Sequence, residues 1–203
     1  TAAWIALSLS LFRLTGEARV AVEAERAVLN HLLGAQGPDG IAWQTDSPAN
    51  GQVRVYKDAP ACCLANGPRG LDLWAGHLVG TSGSTVSVNS LMPSETQVNP
   101  SLRVKVSGDY PFDDGATIEL NLPRSSRFAL EFRPPEGAAN LKVHIAGAVQ
   151  ALKMTPLGFY RLEREWRPGD RVEAGRQGRV LRRDAGRVAA RLVVNCAGLQ
   201  SDR

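Results

Sequence analysis

Apolar residues recur at helical spacing through the first third of the chain and at every second position after that. Residues 2–14, AAWIALSLSLFRL, set Trp4, Leu7, Leu11 and Leu14 on one stripe, and Thr15-Gly16 supplies a stop, so a helix is predicted there. Residues 17–33 predict a second helix, with Val20, Ala24, Val28 and Leu32 as its apolar line. The short connector makes the two antiparallel neighbours. Gly and Pro in GAQGPDG (34–40) close the pair, and an irregular stretch runs to Pro60. A third helix is predicted from Gly67 to Val79, with Leu71, Trp74 and Leu78 inward.

From Ser84 the period falls to two. TVSVNSLM, LRVKVS, ATIELNL, RFALEFR, LKVHIAG, ALKM and GFYRLEREW are short alternating runs. Turn signals separate them, among them Asp113-Asp114-Gly115, Pro134-Pro135-Glu136-Gly137 and Pro168-Gly169-Asp170. Many short strands at close spacing predict an antiparallel β-sandwich, so the fold class is α+β. A boundary around Val79–Ser84 divides the chain into a helical part (1–80), a sandwich (81–174) and a tail (175–203).

Composition changes this picture little. The chain is 43% hydrophobic and 22% charged, ordinary for a globular protein, and nothing in it approaches a membrane span. The net charge of +4 is a property of the tail, where residues 175–203 hold seven arginines against Asp184 and Asp202. The rest is near neutral and lacks interleaved aromatics, so nucleic acid is not an expected partner. The chain opens mid-pattern at Thr1, without an initiator methionine or signal sequence, which reads as a fragment. Three cysteines make no disulfide framework, and neighbours Cys62 and Cys63, with Cα atoms about 3.8 Å apart, would be strained as a bond. Free thiols favour a reducing, cytoplasmic setting.

Candidate chemistry is sparse. Cys62-Cys63, ahead of the third helix, has two readings: a pair of small buried hydrophobes, or two ligands of one ion brought together by a sharp turn. A thiol at a helix entrance also meets the positive end of the dipole, which favours thiolate. Cys196, inside LVVNCAGL, reads as core. His31, His77 and His144 lie far apart and read as structural. Glu25, in mid-helix, reads as a surface ion pair with Arg19 or Arg26. No nucleotide-binding or serine-nucleophile signature is present.

Segment order adds more. FRLTGEARVAVEAERAVLNHLLGAQGPDG (12–40), ACCLANGPRGLDL (61–73), VNSLMPSE (88–95), SGDYPFDDGATIELNL (107–122) and FYRLEREWRPGDRVE (159–173) together resemble glycoside hydrolase family 127, the bacterial β-L-arabinofuranosidase-like proteins. The resemblance covers roughly residues 1–174. It implies the last helices of an (α/α)6 catalytic barrel followed by a β-sandwich. It also implies a zinc site in which Cys62 is ligand and nucleophile, Cys63 is ligand, and Glu25 contacts the sugar. The substrate class implied is a β-L-arabinofuranoside or related glycan, cleaved with retention. Two departures matter. The remaining ligands and the general acid would fall before Thr1, so this stretch alone is expected to be inactive. Where relatives carry Trp-x-Tyr-Tyr-Thr-Pro, this chain reads Trp43-Gln44-Thr45-Asp46-Ser47-Pro48, which implies loss of a sugar-contacting tyrosine.

In the tail, GRVAARLVVNC (186–196) resembles a drifted family strand, while ARLVVNCAGLQSDR (190–203) also resembles a strand of FAD-dependent L-2-hydroxyglutarate oxidases. The alternative to the enzyme is a non-catalytic sandwich that binds carbohydrate or is purely structural. Unpaired barrel helices would further imply self-association.

Overall fold

The computed structural model describes residues 1–37, 39–44, 61–112, 115–136 and 141–176. The tail from 177, with Cys196 and both tail resemblances, lies outside them, as do Thr45–Pro60 and the turn residues Asp113, Asp114 and Gly137. The chain divides between His77 and Leu78 into two compact units.

The first unit is helical. Helix α1 (Ala2–Thr15) ends at Gly16, whose left-handed backbone returns an N–H to the Phe12 carbonyl. Helix α2 (Ala18–Arg26) continues into a π-helical turn, Ala27–Leu32, and a 3-10 turn, Leu33–Ala35, where a single regular helix was expected. Three residues of its expected apolar line, Ala24, Val28 and Leu32, are buried through the change of winding, while Val20 is half-buried and Ala21 takes the core position beside it. Helix α1 presents the opposite outcome. The core takes Ile5, Ser8 and Leu9, and the expected stripe faces out, with Trp4 51%, Leu7 50%, Leu11 43% and Leu14 83% exposed. The pattern identified an apolar face correctly but not the face its neighbours cover.

Helix α3 spans Ala61–Ala75, six residues earlier at its start than expected. Gly67-Pro68, read as a turn, lies inside it. The reason is packing. Cys63, Gly67, Gly70 and Trp74 stand at i, i+4, i+7 and i+11, on the inward face, and the two glycines let neighbouring side chains approach the helix backbone. Pro68 is on the exposed side. Tertiary contact overrides the local preference of Gly and Pro.

The second unit is a sandwich of two sheets around one core. Its strands are β1 (Val79–Ser82), β2 (Thr85–Val88), β3 (Ser94–Asn99), β4 (Leu102–Gly108), β5 (Ala116–Asn121) and β6 (Ser126–Phe132). β7 (Leu141–Ile145), β8 (Ala148–Val149), β9 (Lys153–Met154), β10 (Tyr160–Trp166) and β11 (Arg171–Arg176) complete it. One sheet runs β1-β2-β6-β10-β9 and the other β3-β4-β5-β11-β7-β8. Inward residues of both sheets, among them Val88, Leu130, Phe132, Trp166, Val104, Ile118, Leu120 and Val143, form the shared core. The sandwich is antiparallel except for one pair. β2 runs parallel to β6, with Thr85 opposite Ala129 and Val88 opposite Phe132. Val79–Ser84, the stretch read as the domain boundary, forms β1 and the β1–β2 turn, and Leu78, expected on the third helix, accepts the Asn89 N–H beside that hairpin.

Candidate functional site

Cys62 and Cys63 are the second and third residues of α3, not part of a loop before it. Their sulfurs are 3.9 Å apart, with Cys62 exposed and Cys63 half-buried. The backbone does not turn between them. On a helix, neighbours point about 100° apart, and rotation about the side-chain bonds closes the remaining gap. Two sulfurs bound tetrahedrally to one zinc at about 2.3 Å each would lie about 3.8 Å apart, so the observed spacing fits a shared ion. The reading of the pair as two buried hydrophobes does not survive, because Cys62 faces solvent. Asn66 donates its side-chain N–H to the Cys62 carbonyl at 3.0 Å, one turn along the same helix.

The other sequence candidates stand elsewhere. Glu25 is 3% exposed on α2, buried inside the helical unit where a surface position was expected; Arg19 meets Glu17, and Arg26 meets Glu23 at 2.8 Å. Among the described residues no three His, Cys, Asp or Glu side chains gather as a metal set, so Glu25 does not join the cysteines. His31 Nδ1 lies 2.5 Å from Thr1 Oγ1 in the π-helical turn. His77 donates from Nδ1 to the Leu73 carbonyl at 2.7 Å. His144 sits on β7, opposite Glu173 and Val149.

One neighbour of the pair entered the sequence reading only as the first letter of the Trp43–Pro48 stretch, not as a site residue. Trp43 is 3% exposed and packs on Gly67, one helical turn beyond Cys63. A Cβ built on Gly67 would fall 2.2 Å from the indole's Cδ2. Nothing in a linear pattern marks such an approach.

Residues 85–175 match the family profile of the β-L-arabinofuranosidase GH127 middle domain. The resemblance to glycoside hydrolase family 127 holds. Solved structures carry the same fold: a GH127 β-L-arabinofuranosidase from Geobacillus stearothermophilus T6 aligns at a TM-score of 0.71 and 18% identity over 86% of this chain and 30% of its own. A GH127 β-arabinofuranosidase aligns at 0.71 and 22% identity, covering 85% of this chain and 30% of its own. A third structure, a glycoside hydrolase, aligns at 0.70 and 20%, covering 85% and 31%. The chain thus spans about a third of the length of these glycoside hydrolase structures. No curated protein sequence matches it. The comparisons give no support to the oxidase resemblance of residues 190–203.

Proposed function

We propose that this chain contributes the cysteine pair and a sandwich to a retaining glycoside hydrolase acting on β-L-arabinofuranosides or related glycans. The helices α1 to α3 would be the last of an (α/α)6 barrel. The observation that carries the reading is the sulfur pair: 3.9 Å apart, one thiol open to solvent, in a chain whose sandwich matches the GH127 middle domain.

Cys62 and Cys63 would hold the zinc, with further ligands coming from outside the described residues. Bound there, zinc keeps thiol sulfur ionised at neutral pH. Exposed Cys62 then attacks the anomeric carbon, forming a C–S bond as the C–O bond to the leaving group breaks. A carboxylic acid protonates the departing oxygen. Water next attacks the same carbon, the C–S bond breaks, and the thiolate returns with the sugar configuration retained. Cys63, half-buried, keeps a ligand's role. Glu25, buried on α2, would contact the sugar, the role the family resemblance implies.

The test is metal content and turnover of 4-nitrophenyl β-L-arabinofuranoside in the complete gene product and in the 203-residue chain. The complete protein is expected to carry about one zinc, to lose it on Cys63→Ser and to lose turnover on Cys62→Ser. The 203-residue chain is expected to be inactive. Full turnover by metal-free Cys62→Ser protein rejects the assignment and leaves a carbohydrate-binding sandwich as the role.

A further inference from the structure

We infer that Trp43 is a positioning residue for the cysteine pair, holding the first turns of α3 so that both sulfurs face one point. The inference rests on the proposed reading of Cys62 and Cys63 as a shared ligand pair.

Trp43 is the fixed end of a short, self-bonded loop. Residues Gln36 and Trp43 form a bridge, the Gly37 N–H meets the Ala42 carbonyl at 2.7 Å, and the Gln44 N–H meets the Ala35 carbonyl at 2.8 Å. The Asp39 carboxylate accepts the N–H groups of Ile41 and Ala42, closing the tip. These bonds hold Trp43 in place, and its fused rings lie against the backbone at Gly67. Three ring atoms lie 2.2 to 2.6 Å from where a Cβ would stand, so no other residue fits beneath them without displacement.

The clamp sits where α3 needs one. Pro68 has no N–H, so the ladder bond to the Leu64 carbonyl is missing and the segment from Ala61 to Gly67 is tied less firmly to the rest of the helix. Gly67 lies four residues beyond Cys63, on the same face. A ring pressed there keeps that segment wound as helix. While it stays wound, neighbours Cys62 and Cys63 keep their fixed angular offset and their sulfurs stay 3.9 Å apart, whereas a segment that unwinds lets the two side chains diverge.

The test uses the 203-residue chain with two soft probes. Phenylarsine oxide joins both thiols through two As–S bonds with loss of one water. Cobalt(II) reports bound thiolate through its charge-transfer band. Gly67→Ala and Trp43→Ala are each expected to weaken capture of both probes about tenfold or more, with helical circular dichroism retained. Trp43→Phe, which keeps a ring on Gly67, is expected to restore most of the affinity. In the Trp43→Ala background Gly67→Ala adds nothing, because the Cβ then enters vacated space. Gly76→Ala, whose nearest new neighbour is 3.6 Å away, leaves capture unchanged. If Gly67→Ala unfolds the helical unit, Trp43→Phe against Trp43→Ala decides alone. Wild-type probe affinity in folded Trp43→Ala protein overturns the inference whatever the enzyme's activity. An inactive complete protein whose pair still depends on Trp43 overturns only the functional reading.

Discussion

A Cβ placed on Gly70 would stand 2.8 Å from Leu32 Cδ2, so α3 meets the π-helical turn at backbone distance. Ile5 of α1 closes the same spot at 3.5 Å. Alanine at this position would gain about 1 kcal/mol of helix propensity. Crowding a close-packed contact costs about 1–3 kcal/mol. Leu32 is a flexible side chain, but it is buried and has little room to withdraw. The expected outcome for Gly70→Ala is a net loss of about 1 kcal/mol in urea unfolding followed by circular dichroism. Gly76→Ala, past the end of α3 and meeting only ordinary van der Waals contacts at 3.6 Å and beyond, should fall within about 0.5 kcal/mol of the parent chain.

Arg133 ties the end of β6 to the segment after β2. It is 2% exposed, its Nε donates to the Asn89 carbonyl at 2.8 Å, and its backbone N–H continues the strand pairing to Val88. Asn89, Ser90, Leu91 and Met92 are all buried beyond that point, so the guanidinium sits where water does not replace it. Arg133→Ala is expected to cost about 1.5–3 kcal/mol, the range for hydrogen bonds made by charged groups. Arg133→Lys should recover little, because an ammonium has no planar fork to present to fixed carbonyls. Denaturant midpoints of the two variants check both statements.

Those two contacts also mark what the sequence could and could not disclose. β4, β5 and β7 were legible because their alternation is the burial pattern itself; in LRVKVSG, Leu102, Val104 and Val106 point in and Arg103 and Lys105 point out. β3 (SETQVN) and β11 (RVEAGR) were not: β3 is an edge strand and needs few apolar residues, while central β11 offers the core just Val172 and the small Ala174 among the residues whose burial is described. The cysteine pair was visible as two letters and as part of a family resemblance. Its helical setting was hidden by Gly67-Pro68, which carry a turn signal locally and a packing role in the fold. Close approach to a glycine leaves no periodic trace.

The outward stripe of α1 yields a stability-neutral substitution. Leu7 and Leu11 are about half exposed and lie on the side of α1 away from Ile5 and Leu9. Glutamine has nearly the same helix propensity as leucine, and little packing is lost on removing side chains already in water. Leu7→Gln with Leu11→Gln is expected to change unfolding free energy by no more than about 0.5 kcal/mol per site. Binding of the apolar dye ANS, which reports exposed hydrophobic surface, should fall. A loss of several kcal/mol would mean that these side chains are buried in the folded protein.

His77 gives the helical unit an acid sensitivity whose sign can be worked out. Burial holds its imidazole below the ordinary value of 6.5, and Arg13 pushes in the same direction, against the opposing hydrogen bond to the Leu73 carbonyl. The neutral ring is therefore favoured in the folded state. As pH falls through 6.5, the unfolded chain takes up a proton at this site before the folded chain does, so unfolding is accompanied by proton uptake and stability decreases. The contribution is fully present above 6.5 and is lost progressively below it, until the folded ring also titrates. His77→Gln, which cannot charge, should flatten the dependence of the urea midpoint on pH between about 7 and 5. A variant that keeps the parent slope across that window would show that another group carries the linkage.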